Sequence, residues 1–441
     1  MRGFGVGLVA IVLGGLAAGC HRSAMPPRPD GAAVVITPEA TDDGVPTAPE
    51  TEPNDTPATA QHLLVTPAAP AAIAGALQSH GSKRDVDLFE VAVPAGDGGA
   101  APARDGGGAP PPFVLRADLR PAAGLELTLE ALDGAGHPVA VASGPPGEAL
   151  SIPNLAISPA SPGLLRVRAG GEVAGLASYR LVVHLVPYDT GAEIEPNGDA
   201  AHATELAPGG EAVGYLGWRH DQDWYRLSTA AMPDGGVLSV DLDPVPEVGI
   251  GLGLYGADGH KLTEARGRKG ERVVLRNVRL PAGAPVVFLV VRADVGWSAD
   301  ARYNLRPRVE LAKVGSEAEP NDDQAHAQPI GDGTVTAYLA RGDVDFFRYS
   351  SDGMALLDLE VVPPEQGNVE VEVTREDNTL LARAQSGRHL PARISGQPIP
   401  GGPVLIRVVP RHGAVDPDDP YHLTVSSRPA PAPSDVPPKK E

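Results

Sequence analysis

Three short acidic segments hold most of the chemical potential of this 441-residue chain. Glu50-Thr-Glu-Pro-Asn-Asp55, Glu193-Ile-Glu-Pro-Asn-Gly198 and Glu317-Ala-Glu-Pro-Asn-Asp322 share one pattern. Each is followed by an Asp-x-Asp step: Asp85-Val-Asp87, Asp221-Gln-Asp223 and Asp343-Val-Asp345. In extended chain, residues at i, i+2 and i+4 project to one face. Glu50, Glu52 and Asn54 then align, as do Glu193, Glu195 and Asn197, and Glu317, Glu319 and Asn321. Where a fold brings such a segment against its Asp-x-Asp step, four carboxylates and one amide oxygen converge, with Asp55 or Asp322 as a further acid. Like charges so placed raise one another's pKa unless something neutralises them. A hard cation taking six to eight oxygen ligands does so, which fits Ca²⁺ better than Mg²⁺, and the His or Cys that zinc favours is lacking. The same residues also admit a metal-free reading. Glu-Pro-Asn can be a turn in which Pro sets φ and Asn bonds its own backbone, and the aspartates can pair with the adjacent Arg84, Arg219 and Arg341.

Patterns for other chemistry are missing. The twelve histidines are scattered without a ligand spacing, and there is no nucleophile elbow, phosphate loop or dinucleotide fingerprint. Paired carboxylates can act as acid and base, which keeps a hydrolase as a third reading. Clusters repeated three times in one context are the habit of scaffolds rather than active sites, so the chain is expected not to be an enzyme. A net charge of -20 argues against nucleic acid as a partner. Aromatic residues make up only 4% of the chain, which leaves little material for a platform that stacks sugars or bases.

The elements that must position these acids are strands. Gly 53 and Pro 47 mark frequent turns, and between them lie alternating apolar runs over residues 113–119, 125–132, 237–242, 356–362 and 369–373. No mature segment keeps a helical period beyond about ten residues. The distance from the Glu before Pro to the first Asp is 33, 26 and 24 residues, so the order is fixed while the loop varies. Each unit then closes with a turn, an apolar strand (from Leu164, Val286 and Val404) and a last strand opened by Tyr179, Tyr303 or Tyr421. Those tyrosines suit either the core and edge of that strand or a binding face. One grammar used three times predicts three copies of one fold, an all-β array of three tandem antiparallel β-sandwich, jelly-roll-like domains. The boundaries expected are 48–190, 191–310 and 311–427, with a disordered tail over 428–441 and a Gly/Ala/Pro surface loop over 96–112 in the first module.

The first residues read as an address. Arg2 precedes an apolar stretch over residues 4–18, too short for a comfortable membrane span, and Gly19-Cys20 follows. Leu16-Ala17-Ala18-Gly19-Cys20 resembles the bacterial lipobox, with Leu16 one position further from the cysteine than usual. Cys20 is the only cysteine in the sequence, so no internal disulfide forms and lipidation explains its place best. Residues 1–19 are then a lipoprotein signal peptide and 20–47 a flexible tether, which predicts an exported protein anchored by lipid to a membrane of the bacterial envelope, the outer membrane or cell surface included.

Glu-x-Glu-Pro-Asn, followed by Asp-x-Asp before an aromatic strand and a Tyr-led final strand, resembles the bacterial pre-peptidase C-terminal domain, a relative of the collagenase collagen-binding domain. The resemblance spans nearly the whole mature chain as three copies. It implies a β-sandwich jelly roll and Ca²⁺ held by the acids of the opening segment. Those ligands would be Glu50, Glu52, Asn54, Asp85 and Asp87; Glu193, Glu195, Asn197, Asp221 and Asp223; and Glu317, Glu319, Asn321, Asp343 and Asp345. Gly198 in place of Asp weakens the second site, and the peptidase domain that usually accompanies such modules is not in this chain. The function expected is an envelope lipoprotein whose modules bind a protein or polysaccharide, with Ca²⁺ as stabiliser. The alternative is an accessory subunit of a separately encoded exported peptidase. Collagen itself is not expected as ligand, because its recognition leans on surface aromatics.

Overall fold

The computed structural model describes residues 43–78, 85–94, 113–158, 161–171, 176–189, 191–230, 232–233, 235–281, 283–413 and 418–431. The expected signal peptide with Cys20, most of the expected tether, Arg84, the expected 96–112 loop and residues 432–441 lie outside them. The chain divides into two units, Met1–Thr37 and Pro38–Glu441, and all described residues belong to the second. They form 28 strands, and among them no helix is long and apolar enough to cross a membrane.

The strands fall into six sheets, two to a module, with a separate apolar core inside each pair. The first module has β1 (Thr47–Pro49), β2 (Gln61–Leu64), β3 (Ala71–Gln78), β4 (Val86–Ala92), β5 (Phe113–Pro121), β6 (Leu127–Leu132), β7 (Pro138–Ser143), β8 (Leu150–Leu155), β9 (Gly163–Ala169) and β10 (Leu176–Pro187). Its sheets run β2-β4-β9-β6-β7 and β1-β3-β10-β5-β8. The second comprises β11 (Thr204–Leu206), β12 (Ala212–Leu216), β13 (Gln222–Ser228), β14 (Gly236–Leu242), β15 (Gly249–Gly256), β16 (Lys261–Arg266), β17 (Val273–Arg279), β18 (Val286–Val295) and β19 (Ser298–Leu311). Its sheets are β11-β13-β18-β15-β16 and β12-β19-β14-β17. The third repeats that order with β20 (Gln328–Ile330), β21 (Gly333–Ala337), β22 (Asp345–Ser351), β23 (Ala355–Val362), β24 (Gly367–Arg375), β25 (Leu380–Gln385), β26 (Ala392–Ile399), β27 (Gly402–Gly413) and β28 (Tyr421–Pro429), as β20-β22-β27-β24-β25 and β21-β28-β23-β26. The protein is therefore an all-β array of three antiparallel, jelly-roll-like sandwiches, in which the short first strand of each outer sheet pairs in parallel with its neighbour.

Alternation builds each sandwich. On β13, Asp223, Tyr225 and Leu227 face inward while Trp224 and Arg226 face out. On β4, Asp87, Phe89 and Val91 take the inward places. Part of the expected flexible tether is tied down: Arg180 bonds Asp43 at 2.6 Å and Thr47 starts β1. The last strands of the second and third modules end at Leu311 and Pro429, one and two residues past the expected boundaries.

Successive modules interlock through a sheet edge. The backbone of Glu195 bonds Asn154 and Ala156 on the outer edge of β8, at 2.8 and 2.9 Å. Glu319 does the same against β17, with Asn277 at 3.1 Å and Arg279 at 2.7 Å. Ion pairs add to each contact, Arg116 with Asp300 at 2.7 Å and Arg276 with Asp418 at 2.5 Å. Trp218 leaves the second module to join the core of the first.

Candidate metal centres

Each opening segment is stitched to the strand beside it by the same bond. Glu50, Glu193 and Glu317 donate their backbone N–H to the carbonyls of Ala74, Val213 and Thr336, at 3.0, 2.7 and 2.9 Å. Two residues along that strand, the N–H groups of Ala76, Tyr215 and Tyr338 return to the glutamate side chains at 2.7, 3.0 and 2.7 Å. The peptides Glu52–Pro53, Glu195–Pro196 and Glu319–Pro320 are all cis. Beyond them, the carbonyls of Asn54, Asn197 and Asn321 accept from the backbone of Leu88, Trp224 and Phe346, at 3.0, 3.0 and 2.9 Å. Those three follow the second aspartate directly, so the opening segment lies against the Asp-x-Asp step in every module.

The side chains converge accordingly. Glu50, Glu52 and Asp87 bring carboxylate oxygens within 4.8 Å of one another, and so do Glu193, Glu195 and Asp223, and Glu317, Glu319 and Asp345. Asp85, Asp221 and Asp343, expected as ligands too, fall outside these groups of three, and each accepts from a backbone donor instead, Gln78, Gly217 and Ala340 at 2.7, 2.6 and 2.9 Å. Glu52, Glu195 and Glu319 are held by the N–H of the asparagine two residues on, at 3.0, 2.9 and 2.8 Å. Asp87, Asp223 and Asp345 accept the hydroxyls of Tyr179, Tyr303 and Tyr421. Each of the twelve carboxylates thus has at least one oxygen claimed by a protein donor, and Glu50, Glu193 and Asp343 have both.

Five of the other carboxylate oxygens are buried and left over. Asp87 Oδ1, Asp223 Oδ1, Asp345 Oδ1, Glu317 Oε2 and Glu319 Oε1 are buried without a partner, as are the amide oxygens of Asn54, Asn197 and Asn321. Buried polar atoms are nearly always satisfied, and orphan oxygens of one kind at one place in three modules describe a socket for a cation. The residues fit Ca²⁺: the ligand set is all oxygen, the charges are high and the arrangement is irregular. Held in position by these donors, four acids and one asparagine per module would be the ligand groups to test.

Electrostatics agree. Burial, then the charge of Glu50, pushes Asp87 up to about 8. Burial, then Asp322, pushes Glu319 up to about 7. Glu195, Asp221, Asp223, Glu317, Asp343 and Asp345 all lie well above the ordinary carboxylate range, desolvation first and like charge second. The arginines of the metal-free reading do not answer these charges. Arg341 pairs with Glu271 at 2.9 Å instead, Arg219 is exposed, and Arg84 is outside the described residues.

The three centres differ in cover. In the second, all five side chains are at most 2% exposed, because the first module's β8 edge closes over Glu195 and Asn154 reaches Glu193 at 3.4 Å. The third opens into a cleft of about 420 Å³ whose far wall carries Lys261, Arg266 and Arg276 of the second module. In the first, Glu52 is exposed.

The tyrosines were legible as recurrent but not as part of the site. Tyr179, Tyr303 and Tyr421 lie on the inner sheet and reach the aspartates of the outer one, across 92, 80 and 76 residues of sequence. Tyr179 and Tyr303 fit only because Gly75 and Gly214 face them: a Cβ there would stand 2.3 Å from Tyr179 Cζ and 2.2 Å from Tyr303 Oη. The scarcity of aromatics also misleads locally, because sheet register gathers Trp224, Tyr255 and Phe288 on one outer face.

No protein-family model matches the chain, and no curated protein does. Among solved structures, it is similar to the M60 catalytic domain with two CBM51 domains of Clostridium perfringens ZmpB, at 10% identity and TM-score 0.16, over 53% of this chain and 36% of that one. A triple jelly roll protein of an archaeal virus turret aligns at 7% identity and TM-score 0.17, over 70% of this chain and 78% of that one. The BSP domain of a biofilm-associated protein aligns at 11% identity and TM-score 0.17, over 77% and 63%.

Proposed function

We propose that this chain is a non-catalytic, lipid-anchored envelope protein whose three sandwich modules bind a protein or polysaccharide and are stiffened by Ca²⁺ at the acidic centres. The reading extends the resemblance to pre-peptidase C-terminal domains. One observation carries it: the same three carboxylates, Glu50, Glu52 and Asp87 and their counterparts, meet in each module, each with at least one oxygen fixed by a protein donor, and the same aspartate and asparagine oxygens are left over. Catalysis is disfavoured at the second centre by access, since a substrate cannot reach carboxylates at most 2% exposed. Tandem modules on a tether raise avidity without a tight single site.

The test is calorimetric titration of the mature chain, with Cys20→Ser to avoid lipidation, using Ca²⁺ and Mg²⁺ after treatment with EDTA. Saturable heat with Ca²⁺, a weaker response to Mg²⁺ and a rise in melting temperature are expected. Absence of both heat and thermal shift with Ca²⁺ sinks the cation reading.

A further inference from the structure

The outer sheets of the three modules are built alike but surfaced differently. In the first, Glu130 on β6 faces Arg166 on β9, with which it forms an ion pair at 2.5 Å. In the third, the equivalent pair is Glu372 and Arg407, at 3.1 Å. In the second, those two places hold Gly253 and Val290, and the neighbour on β13 is Trp224. The Tyr255 ring lies over Gly253, where a Cβ would stand 2.7 Å from its Cε2. Trp224 stacks on Tyr255 at 5.5 Å between centroids, tilted by 33°, and meets Phe288 edge-on at 5.8 Å. Phe288 is the buried floor, 8% exposed, while Trp224 and Tyr255 are partly open to solvent.

Beside these rings is a row of polar groups. Arg292, lying over Gly251, bonds Asp294 at 2.7 Å and Glu264 at 3.0 Å. Lys261 and Arg266 reach the same Glu264 at 3.0 Å. The indole N–H of Trp224 has no partner among the described residues.

We propose that this face of the second module is a polysaccharide-binding platform, with Trp224 and Tyr255 stacking on sugar rings and Arg292, Glu264 and Asp294 bonding their hydroxyls. The inference rests on the binding role proposed above and says which module and which ligand class perform it. The aromatic face is electron-rich and receives the polarised C–H groups of a pyranose. Arginine–carboxylate pairs offer donors and acceptors side by side, the chemistry that vicinal hydroxyls require. Elsewhere in the array the places of Trp224, Tyr255 and Phe288 hold Leu88, Leu132 and Leu164, or Phe346, Thr374 and Leu405 with Arg407 lying over Phe346, so only the second module gathers three aromatic rings there.

The test uses the full mature Cys20→Ser chain and four probes: cellohexaose, chitohexaose, alginate oligomers and peptidoglycan fragments. Titration is followed by tryptophan fluorescence and calorimetry, with and without Ca²⁺. Saturable binding of at least one probe is expected, weakened at least tenfold by Trp224→Ala and by Tyr255→Ala, with melting temperature and Ca²⁺ heat retained. Arg292→Ala serves as a second variant if either aromatic change unsettles the fold. Binding of none of the probes at millimolar concentration overturns the proposal, as does binding indifferent to all three variants. Competition by a proline-rich peptide that binds this face while no glycan does assigns it to protein and overturns it too. Each of these outcomes leaves the Ca²⁺ heat intact, whereas loss of that heat alone would sink the cation reading and spare this one.

Discussion

At the scale of single residues, the acidic centres store a conflict that a cation would resolve. Asp345 shows it most directly, being fully buried, raised by burial and by Asp343, and steadied on one oxygen by Tyr421. Asp345→Asn removes one of the mutually repelling charges, so it should leave melting in EDTA unchanged or higher, yet lower it in Ca²⁺ and remove one ion from the stoichiometry. Opposite signs in the two buffers separate a ligand from a merely structural acid. Tyr421→Phe keeps the ring and deletes the donor; about 1 kcal/mol of stability should go, and Ca²⁺ should bind roughly ten- to a hundredfold more weakly at that centre. The pH dependence has a definite sign. Asp87 and Glu319 titrate at about 8 and about 7 in the folded chain, above their ordinary 3.8 and 4.5. Between those values the native state holds more protons than the unfolded one, so stability in EDTA should fall as pH rises from about 4 to about 8. A bound cation would take the place of the protons, so the melting temperature gained from Ca²⁺ should grow across the same window.

At the scale of elements, the sheet edge explains both how the array is joined and where it stops. Ala156 and Arg279 each follow the residue that faces the bulge of the inner sheet, and each gives its N–H to the carbonyl of the incoming glutamate. In the third module the same register places Pro398 there, which has no N–H to give. A proline blunts an edge that would otherwise invite another strand. Transplanting it supplies a test: Arg279→Pro should cost about 1–3 kcal/mol at the contact between the second and third modules, by leaving the Glu319 carbonyl without its donor. Limited proteolysis should then cut near residue 313, between β19 and β20, faster than in the native chain. Unchanged cleavage would show that the ion pairs of Arg276 and Arg341 hold the contact by themselves.

At the scale of the whole molecule, three chemically matching centres are made unequal by what precedes them. The second is sealed by the first module, the third opens to a cleft, and Glu52 of the first faces solvent. Chelator added to the Ca²⁺-loaded chain should therefore strip the first centre quickly and the second slowest, resolved as separate phases by a Ca²⁺ dye. Gly198 makes the second centre poorer in acids, yet it is the one in which burial leaves the charges least relief. A single phase of release would mean that the modules part readily and expose all centres alike.

Much of this was legible in the sequence, because its signals are local and periodic. Alternating apolar residues specify strands, the Glu-x-Glu-Pro-Asn repeat counts the modules, and alternation puts the second aspartate of each Asp-x-Asp on the side of Phe89, Tyr225 and Phe347, hence inside. The all-β class, the threefold grammar and the meeting of Glu50, Glu52 and Asp87, and of their counterparts, followed from those signals alone. What tertiary structure decided depends on partners far apart in sequence. The tyrosine hydroxyls reach their aspartates only when two sheets close over each other, and the burial of Glu195 and Glu319 comes from a neighbouring module's edge. Composition counts aromatics without saying where they meet, and Trp224, Tyr255 and Phe288 become one surface only through the register of three separate strands.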